Sequence, residues 1–458
     1  MKRRAFLGIL GAATLPGQVL TQSASDSEIS QILRDRVEKY QQSVGIVVGL
    51  VGPAGRRIVS YGSLDPSDPR PLDGETAFEI GSNTKVFTAL LLADMVQRKE
   101  LRLDDPLALY LPSELKVPEY RGRKITLVDL ATHTSGLPRD PADLQEVVRN
   151  PFARVTTEQL YRTMTGHRLT YEIGSRFQYS SVGIALLGIV LSRRAGQDYD
   201  TLVRDRVTVP LSMPSTQTGI TPELQGRLAP GHVYVTKERT PPFETGAYAP
   251  AGAIRSTAND LLEFLAANLG YIETPLAPAF TLMRQVHRGP MLLGWGTATV
   301  AGAEIIHHNG GTPGTNSFIG FNPRTRAGVA ILSNTGSGGP IDDIGFHLLN
   351  SRSSLRDAKQ LTPPKRRMRV DVDASLLDRY AGQYRISKDD LLTVTATEGH
   401  LLVKRTGALT DEMVPESDQD FFCTSFDDQI SFKVDAKGFV GEAVYHEGGA
   451  VFRARRVN

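Results

Sequence analysis

The sequence predicts a mixed α/β (α+β) fold class: an antiparallel sheet with a helical insertion domain, followed by a small C-terminal antiparallel β-barrel. Three observations carry this prediction. β-prone runs at residues 44–51 and 57–61 resume late in the chain, whereas residues 86–289 between them read as mostly helical. Short alternating runs then fill the chain beyond residue 375. Strands on both sides of a helical stretch imply one discontinuous sheet, and 458 residues suffice for two folded units.

The individual elements follow from hydrophobic periodicity. Residues 28–42 carry apolar side chains at helical spacing, and the runs 44–51 and 57–61 flank a Gly-Pro-Ala-Gly turn that predicts a hairpin. Further elements are two apolar helices, three late strands and a closing helix, predicted at residues 182–191, 261–269, 304–308, 315–321, 328–333 and 341–349.

The first 24 residues predict an export signal. A basic start with Arg3-Arg4 precedes Phe6-Leu7, an apolar stretch and then polar residues, which is typical of a twin-arginine signal. An ordinary secretory signal or a short uncleaved anchor are the alternatives, but Pro16 and Gly17 interrupt the apolar stretch. We therefore expect an exported protein, periplasmic or secreted, whose mature form has no stable membrane span.

Charge and cysteine content narrow the classes of partner. The 52 basic and 50 acidic residues nearly cancel, which argues against nucleic acid and favours a small molecule or a peptide. Cys423 is the one cysteine in the sequence, so neither an internal disulfide nor a cysteine-rich metal site is possible. No cofactor and no metal are predicted.

The domain boundaries come from composition. We expect a catalytic domain at residues 25–355, a linker at 356–375 and a β domain at 376–458. The linker contains Pro363-Pro364 and a basic run that we interpret as solvated. Alternating runs separated by turn residues predict a meander or small barrel, with strands at residues 391–397, 400–404, 429–434, 440–445 and 450–455.

The strongest chemical signal is Ser82-Asn83-Thr84-Lys85, which runs into an apolar helical pattern. Three residues along a helix bring Lys85 onto the face of Ser82, where its neutral amine could accept the hydroxyl proton. A helix N-terminus would also favour an oxyanion at the substrate carbonyl. Alone, the pattern fits equally a helix cap followed by a surface lysine.

Two further segments add context. Tyr179 precedes an apolar helix and should lie on a loop, from which a side chain can project into a cleft. His308 lies at a strand edge among glycines that would let a substrate backbone approach, and it could meet a substrate carboxylate. Taken singly, each also fits a buried structural residue.

These segments together resemble the serine β-lactamase-fold family of class C β-lactamases, D-alanyl-D-alanine carboxypeptidases, penicillin-binding proteins and related esterases. The resemblance spans about residues 28–353 and keeps the family's motif order. The matching stretches are residues 78–85, the Leu-Ala-Thr-His-Thr-Ser-Gly-Leu-Pro run at 130–138, Tyr179, residues 252–260, 293–296 and 308–314.

The resemblance implies a role for each matched residue. Ser82 would be the acylated nucleophile, with Lys85 and Tyr179 sharing proton transfer. The backbone N–H groups of Ser82 and Gly311 would form the oxyanion hole. The third motif, His308-Asn309-Gly310, would bind substrate. The C-terminal unit resembles the lipocalin-like domains appended to some relatives.

One departure from the family pattern affects the substrate. The family's Tyr-x-Asn motif reads Tyr179-Ser180-Ser181 here, so a serine replaces the amide that holds the lysine and a substrate amide. Ser181 should still bind substrate but can make fewer hydrogen bonds, which weakens the case for efficient β-lactam turnover.

Two other segments have structural interpretations. Ser135 beside Gly136 is interpreted as a turn former, and residues 257–260 as a helix capping box.

The sequence contains no Gly-x-Ser-x-Gly elbow, no His-Glu-x-x-His zinc motif and no phosphate-binding glycine loop.

Three functions remain open. The first is acyl transfer on amide or lactam bonds, with D-alanyl-D-alanine carboxypeptidase-like or β-lactamase activity on peptidoglycan stem peptides or β-lactams. The second is an esterase or D-amino-acid peptidase with the same nucleophile. The third is a non-catalytic penicillin- or peptidoglycan-binding sensor, against which the presence of Ser82, Lys85, Tyr179 and His308 argues.

Overall fold

The computed structural model describes residues 24–457 except 142–143, 145–149, 151, 337–338, 360, 362, 364–366, 389, 407–409, 424–427 and 448–449. Residues 1–23 of the predicted export signal therefore lie outside the described residues. Within them, the predicted antiparallel sheet with a helical insertion and the C-terminal antiparallel barrel are both confirmed.

Nine of the first thirteen strands form one sheet, in the order β3-β2-β1-β13-β12-β11-β10-β9-β8. The strands β4 and β7 pair separately, as do β5 and β6. The thirteen are β1 Gly45–Gly52, β2 Gly55–Asp65, β3 Asp68–Pro71, β4 Ala77–Glu79, β5 Glu119–Tyr120, β6 Arg123–Lys124, β7 Arg255–Thr257, β8 His287–Arg288, β9 Met291–Leu292, β10 Gly296–Val300, β11 Ala303–Gly311, β12 Asn316–Asn322 and β13 Ala327–Ser333.

Among the described residues, eleven α-helices accompany these strands. They are α1 Asp26–Arg34, α2 Thr84–Gln97, α3 Leu127–Ala131, α4 Thr157–Gly166, α5 Ser181–Ala195, α6 Tyr199–Val203, α7 Pro222–Gln225, α8 Ala249–Gly252, α9 Ala258–Asn268, α10 Ala277–Gln285 and α11 Asp342–Leu349. Short 3₁₀ turns occupy Gly81–Asn83, Leu107–Tyr110 and Gly246–Tyr248, and π turns follow α1 and α6. None of the helices in the described residues is long and apolar enough to cross a membrane.

Strand β1 shows why the sheet is covered on both faces. Successive side chains of a strand point to opposite faces. Val47 and Val51 accordingly pack with the core that contains α2 and α9, whereas Val48 and Leu50 pack with α1 and α11. Strand β1 is hydrogen-bonded to β2 on one side and to β13 on the other. The hairpin predicted near the start of the chain thus joins the late strands in one sheet.

Helix α2 is the central helix of this domain. Every residue from Thr84 through Met95 is buried, so the helix is enclosed on all sides. Its first turn follows directly from the turn that carries Ser82. The core therefore fixes the position of the candidate nucleophile from behind.

The C-terminal unit is a closed eight-stranded barrel, because its first strand pairs with its last. A short helix, α12 Ala374–Tyr380, precedes the strands β14 Gly382–Ser387, β15 Asp390–Thr397, β16 His400–Arg405, β17 Thr410–Pro415, β18 Asp420–Cys423, β19 Gln429–Val434, β20 Val440–Glu447 and β21 Ala450–Arg456. The sequence did not predict β14, β17 or β18.

The barrel interior is packed with side chains. Tyr380 of α12 stacks on Phe432 with ring centroids 4.2 Å apart and meets Phe421 edge-on at 5.5 Å. Tyr384, Met413 and Cys423 are also buried in this cluster. The protein's own side chains therefore fill the barrel interior, whereas the barrel of a lipocalin holds a small ligand.

One residue of the predicted linker is not solvated as expected. The Arg367 side chain is only 7% exposed, forms an ion pair with Glu416 and lies over the Phe422 ring. The backbone N–H of Val370 also donates to the Pro415 carbonyl oxygen. The end of the linker therefore packs against the barrel.

Candidate active site

The site begins at a tight turn before α2. Gly81 adopts a positive φ of 49°, and the 3₁₀ turn that follows places Ser82 one turn before Lys85. The Lys85 Nζ donates to the Ser82 Oγ at 3.0 Å and to the Ala251 carbonyl oxygen at 2.6 Å. Lys85 is only 2% exposed, whereas Ser82 is partly exposed. The structure thus brings the two predicted residues together at the margin of the core.

Glycines allow β11 to lie directly against this turn. A methyl group added to Gly310 would lie 2.0 Å from the Ile80 carbonyl oxygen and 2.9 Å from the Ser82 nitrogen. One added to Gly81 would lie 2.6 Å from the Gly311 oxygen. Ser82 and Gly311 therefore have their backbones close together. This proximity is what the predicted oxyanion hole requires.

One edge of β11 is open beside the turn. Pairing between β10 and β11 runs from Val300↔Ala303 to Gly296↔His307 and, within the described part of the chain, ends there. Residues 308–311 remain paired to β12 on the other edge. An extended peptide could add to such an unpaired edge through main-chain hydrogen bonds.

Tyr179 lies on the loop before α5, as predicted, and its ring stacks on His133. The two ring centroids are 4.4 Å apart and the planes differ by 29°. The Lys85 Nζ lies 5.0 Å from the Tyr179 ring centre. The structure thus brings the Tyr179 ring beside the serine–lysine pair.

His133 supports this loop through its other contacts. Its Nδ1 accepts the backbone N–H of Ser180 at 3.1 Å. Burial lowers the pKa of His133 well below its usual value, and the positive charge of Lys85 lowers it further. His133 is therefore a neutral ring with its proton on Nε2.

His308 faces the same cluster, with its ring centre 6.4 Å from that of Tyr179. Its Nδ1 donates to the Asn309 carbonyl oxygen at 2.6 Å, because a carbonyl can only accept. Burial and then the charge of Lys85 lower the pKa of His308 to about 3. Its Nε2 therefore carries a lone pair at neutral pH, and the expected contact of His308 with a substrate carboxylate stays a prediction.

Two residues of the third motif lie elsewhere than expected. The Asn309 side chain donates to Asp342 Oδ2 at 2.8 Å, which places it on the face of the sheet opposite to His308. Successive residues of a strand alternate in direction, so His308 and Asn309 cannot both face the site. Gly310 is buried against Ile80 and Ser82. The close approach that it permits is that of the serine turn, not of a substrate.

Ser181 begins α5 beside Tyr179, but its polar groups already have partners. Its N–H donates to the Arg139 carbonyl oxygen at 2.9 Å, and its hydroxyl interacts with that of Tyr248. Tyr248 in turn donates to Asp140 Oδ1 at 3.0 Å, and burial raises the pKa of its hydroxyl. Ser181 therefore tethers the neighbouring loop.

The two segments read as structural have structural contacts. Ser135 is fully buried, and its Oγ accepts the Leu137 N–H at 3.3 Å within a turn. Thr257 accepts the Asp260 N–H at 3.1 Å as the N-cap of α9. Neither segment supplies a second nucleophile.

Two residues at the site were not predicted from the sequence. His133 was noted only as part of a family stretch, and Arg139, just beyond that stretch, was not singled out. The guanidinium carbon of Arg139 lies 5.3 Å from the Tyr179 ring centre. The signal that could have drawn attention to His133 is its φ of 56°, but a sequence does not reveal a backbone angle.

An antiparallel sheet flanked by helices, with a serine–lysine pair ahead of a buried central helix, defines the class of serine hydrolases with the β-lactamase fold. The family model described as beta-lactamase matches residues 30–354, and the chain belongs to that family. A second model, a domain of unknown function (DUF3471), matches residues 366–453.

Curated relatives carry two kinds of name. The D-alanyl-D-alanine-carboxypeptidase/endopeptidase AmpH of Escherichia coli K12 is 29% identical over 265 residues, which cover 57% of this chain and 67% of AmpH. A β-lactamase of Lysobacter lactamgenus is 26% identical over 367 residues, covering 72% of this chain and 91% of the relative.

Solved structures show the same fold. A β-lactamase/D-alanine carboxypeptidase from Yersinia pestis aligns with a TM-score of 0.62 and 24% identity, covering 72% of this chain and 96% of that one. A class C β-lactamase from Rhodobacter sphaeroides gives a TM-score of 0.60 and 22% identity, over 71% and 97% of the two chains.

Proposed function

We propose that the protein is an exported serine hydrolase that forms an acyl-enzyme on Ser82, with D-alanyl-D-alanine carboxypeptidase-like or β-lactamase activity. The observation that carries the proposal is the hydrogen bond of 3.0 Å between Lys85 Nζ and Ser82 Oγ, made by a buried lysine. A surface lysine after a helix cap would instead be solvated and free of the serine.

In the acylation step, the Ser82 oxygen attacks the carbonyl carbon of an amide or lactam, and its proton passes to the Lys85 amine. Lys85 must first release its own proton to solvent, because only the neutral amine has a lone pair that can accept one. The Ala251 carbonyl accepts one N–H of that amine, and the Ser82 hydroxyl then donates to Nζ, the reverse of the resting hydrogen bond. The tetrahedral oxyanion would be stabilised by the backbone N–H groups of Ser82 and Gly311. Collapse then breaks the C–N bond, and the proton reaches the leaving nitrogen through Tyr179 or Lys85.

Deacylation repeats the sequence with water as the nucleophile. A water proton passes to the same base, the hydroxyl adds to the ester carbonyl and Ser82 leaves as the alcohol when the proton returns. The products are a carboxylic acid and the free enzyme. For a lactam, the opened ring remains attached to the acyl group throughout.

The open edge of β11 supports a peptide or a peptide-like substrate, since the pairing with β10 ends at His307 and residues 308–311 lie beside Ser82. The names of the curated relatives support D-alanine-terminated peptides and β-lactams as substrates. The twin-arginine pattern supports export to the periplasm or beyond, where peptidoglycan stem peptides occur.

A second candidate function is an esterase or D-amino-acid peptidase, and Ser181 favours it. The family amide at this position holds a substrate amide, but the Ser181 hydroxyl interacts with Tyr248 instead. An ester substrate would not need that contact. The nucleophile and its base would be the same in both cases.

The test is the intact mass of the purified protein after incubation with benzylpenicillin, with Ser82→Ala as the control. We expect an increase of one penicillin mass in the wild type and none in the variant. A long-lived adduct would favour a carboxypeptidase, and rapid loss with hydrolysed drug would favour a β-lactamase. If neither penicillin nor a neutral nitrophenyl ester acylates Ser82, the proposed nucleophile is wrong.

A further inference from the structure

Arg139 places a positive charge at the mouth of the site. It follows the loop that carries His133, and its guanidinium carbon lies 5.3 Å from the Tyr179 ring centre. The Lys85 Nζ lies 5.0 Å from the centre of the same ring. Unlike buried Lys85, the Arg139 side chain is 69% exposed. A negatively charged group could therefore reach Arg139 from solvent.

The hydrogen-bonding fork of Arg139 is mostly free. Its Nε pairs with Asp140 Oδ2 at 3.3 Å, and the other oxygen of Asp140 accepts from the Tyr248 hydroxyl. Across the described part of the chain, neither Nη atom of Arg139 has an acceptor. Asp140 thus orients the guanidinium while leaving the two Nη donors open. Two parallel Nη–H donors match the geometry of a carboxylate.

The other basic groups of the site are less suitable for an anion. The Lys85 Nζ already donates hydrogen bonds to the Ser82 hydroxyl and to the Ala251 carbonyl oxygen. His308 is a buried neutral ring whose Nδ1 already donates to Asn309. Arg255 is buried too, and donates to Glu79 and to the Phe243 carbonyl. Arg139 is the cation with open donors among these four.

We infer that Arg139 binds a carboxylate of the substrate and makes the enzyme selective for acyl donors that carry a negative charge near the reacting carbonyl. This inference rests on the proposed function, because it assumes that Ser82 is acylated. It also moves recognition of the carboxylate from the third motif, where the sequence suggested His308, to the loop after α3.

The experiment compares two acyl donors that differ only in charge: benzylpenicillin and its methyl ester. The second-order rate of Ser82 acylation is measured by intact mass for the wild type, Arg139→Gln, Arg139→Lys and Arg176→Gln. Arg176 is the matched control, because its guanidinium carbon lies 5.3 Å from the Tyr171 ring and it is exposed. The measured quantity is the ratio of the two rates.

We expect Arg139→Gln to lower the ratio of acid to ester rate about fivefold, as for an exposed charge-assisted contact. Arg139→Lys should lower it less, since the charge remains and the fork is lost. The control Arg176→Gln should leave the ratio near the wild-type value. Added salt should reduce the ratio in the wild type more than in Arg139→Gln.

Three outcomes would overturn the inference while the proposed function stands. The first is an unchanged ratio in Arg139→Gln. The second is an equal fall with both donors, which would mean that Arg139 acts through the Tyr179 ring. The third is an equal change of the ratio in Arg176→Gln, which would mean that the overall charge of the protein, not a contact with Arg139, sets the ratio. If the wild type is acylated by neither donor nor by neutral and anionic nitrophenyl esters, the proposed function fails, and this inference fails with it.

Discussion

The ring of His133 lies on the ring of Tyr179, with centroids 4.4 Å apart, while its Nδ1 accepts the N–H of Ser180. One imidazole therefore fixes both the side chain of Tyr179 and the backbone that follows it. His133 makes no hydrogen bond to Ser82 or Lys85 in the described structure. We therefore expect it to be a positioning residue, which would act on the proposed reaction through Tyr179.

His133→Asn should separate these two contacts. An asparagine oxygen can still accept from Ser180, and asparagine tolerates the positive φ of this position, but the ring that holds Tyr179 is lost. We expect acylation by benzylpenicillin to slow by up to about 100-fold, since misplacement of a proton-transfer group by about 1 Å has effects of this size. The free energy of unfolding should change little.

His133→Phe is the complementary variant. It keeps an aromatic ring beside Tyr179 but leaves the Ser180 N–H without an acceptor, which should cost about 1–3 kcal/mol of stability. Urea unfolding and intact-mass kinetics on both variants check the assignment. Equal effects of the two substitutions on acylation would show that the stacking does not position Tyr179.

Lys85→Ala should remove the base while leaving Ser82 in place. General base catalysis is worth about 10²–10⁴ in rate, and we expect acylation to slow within this range. The matched control is Lys39→Ala, because Lys39 also lies 5.0 Å from a tyrosine ring but is exposed and remote. Acylation of Lys85→Ala at the wild-type rate would contradict the proposed role.

Gly310→Ala should disturb the site through the backbone. The added methyl group would meet the Ile80 carbonyl oxygen at 2.0 Å, so either β11 or the serine turn must move. We expect a loss of about 1–3 kcal/mol in the free energy of unfolding and a larger fractional loss of acylation. At the end of α4, Gly166→Ala adds a methyl group with nothing within 4 Å and serves as the control.

His307 should make stability depend on acid pH. It packs against Phe318 and Phe346, and burial lowers its pKa to about 4, below the usual value of 6.5. The unfolded chain then binds a proton that the folded protein does not, so stability falls as pH falls from about 6.5 to 4. In His307→Leu this contribution is absent.

As the pH falls through that window, the free energy of unfolding of His307→Leu relative to the wild type should therefore rise by about 1.4 kcal/mol per pH unit. Urea unfolding at pH 7, 6, 5 and 4.5 measures the difference. A difference that stays constant with pH would mean that His307 has the same pKa in the folded and the unfolded protein.

Much of the fold was predictable because its elements are periodic. The late strands and the flanking helices were placed by alternating or helical runs, and the structure has them at β11 to β13, α5, α9 and α11. The missed barrel strands are short or polar on one side. Strand β18 has four residues, and β17 begins Thr410-Asp411-Glu412, which no hydrophobic pattern distinguishes from a loop.

The site was predictable in its parts but not in its detail. Motif order indicated that Ser82, Lys85, Tyr179 and His308 belong together. The two-residue period of a strand could have excluded the Asn309 side chain once His308 was placed. The tautomer of His308 and the open donors of Arg139 depend on contacts with the adjacent residues Asn309 and Asp140. Adjacency in the sequence does not fix the side-chain rotamers that make these contacts.

The pairing of β1 with β13 has a consequence for biosynthesis. Val48 lies opposite Ile331, so strand β1 waits for this partner until most of the domain has left the ribosome. The serine turn likewise lacks the backbone of Gly311 until then. A nascent chain can therefore expose Ser82 and Lys85 for some time before β11 lies against them, and the candidate site is complete only when the two ends of the domain meet.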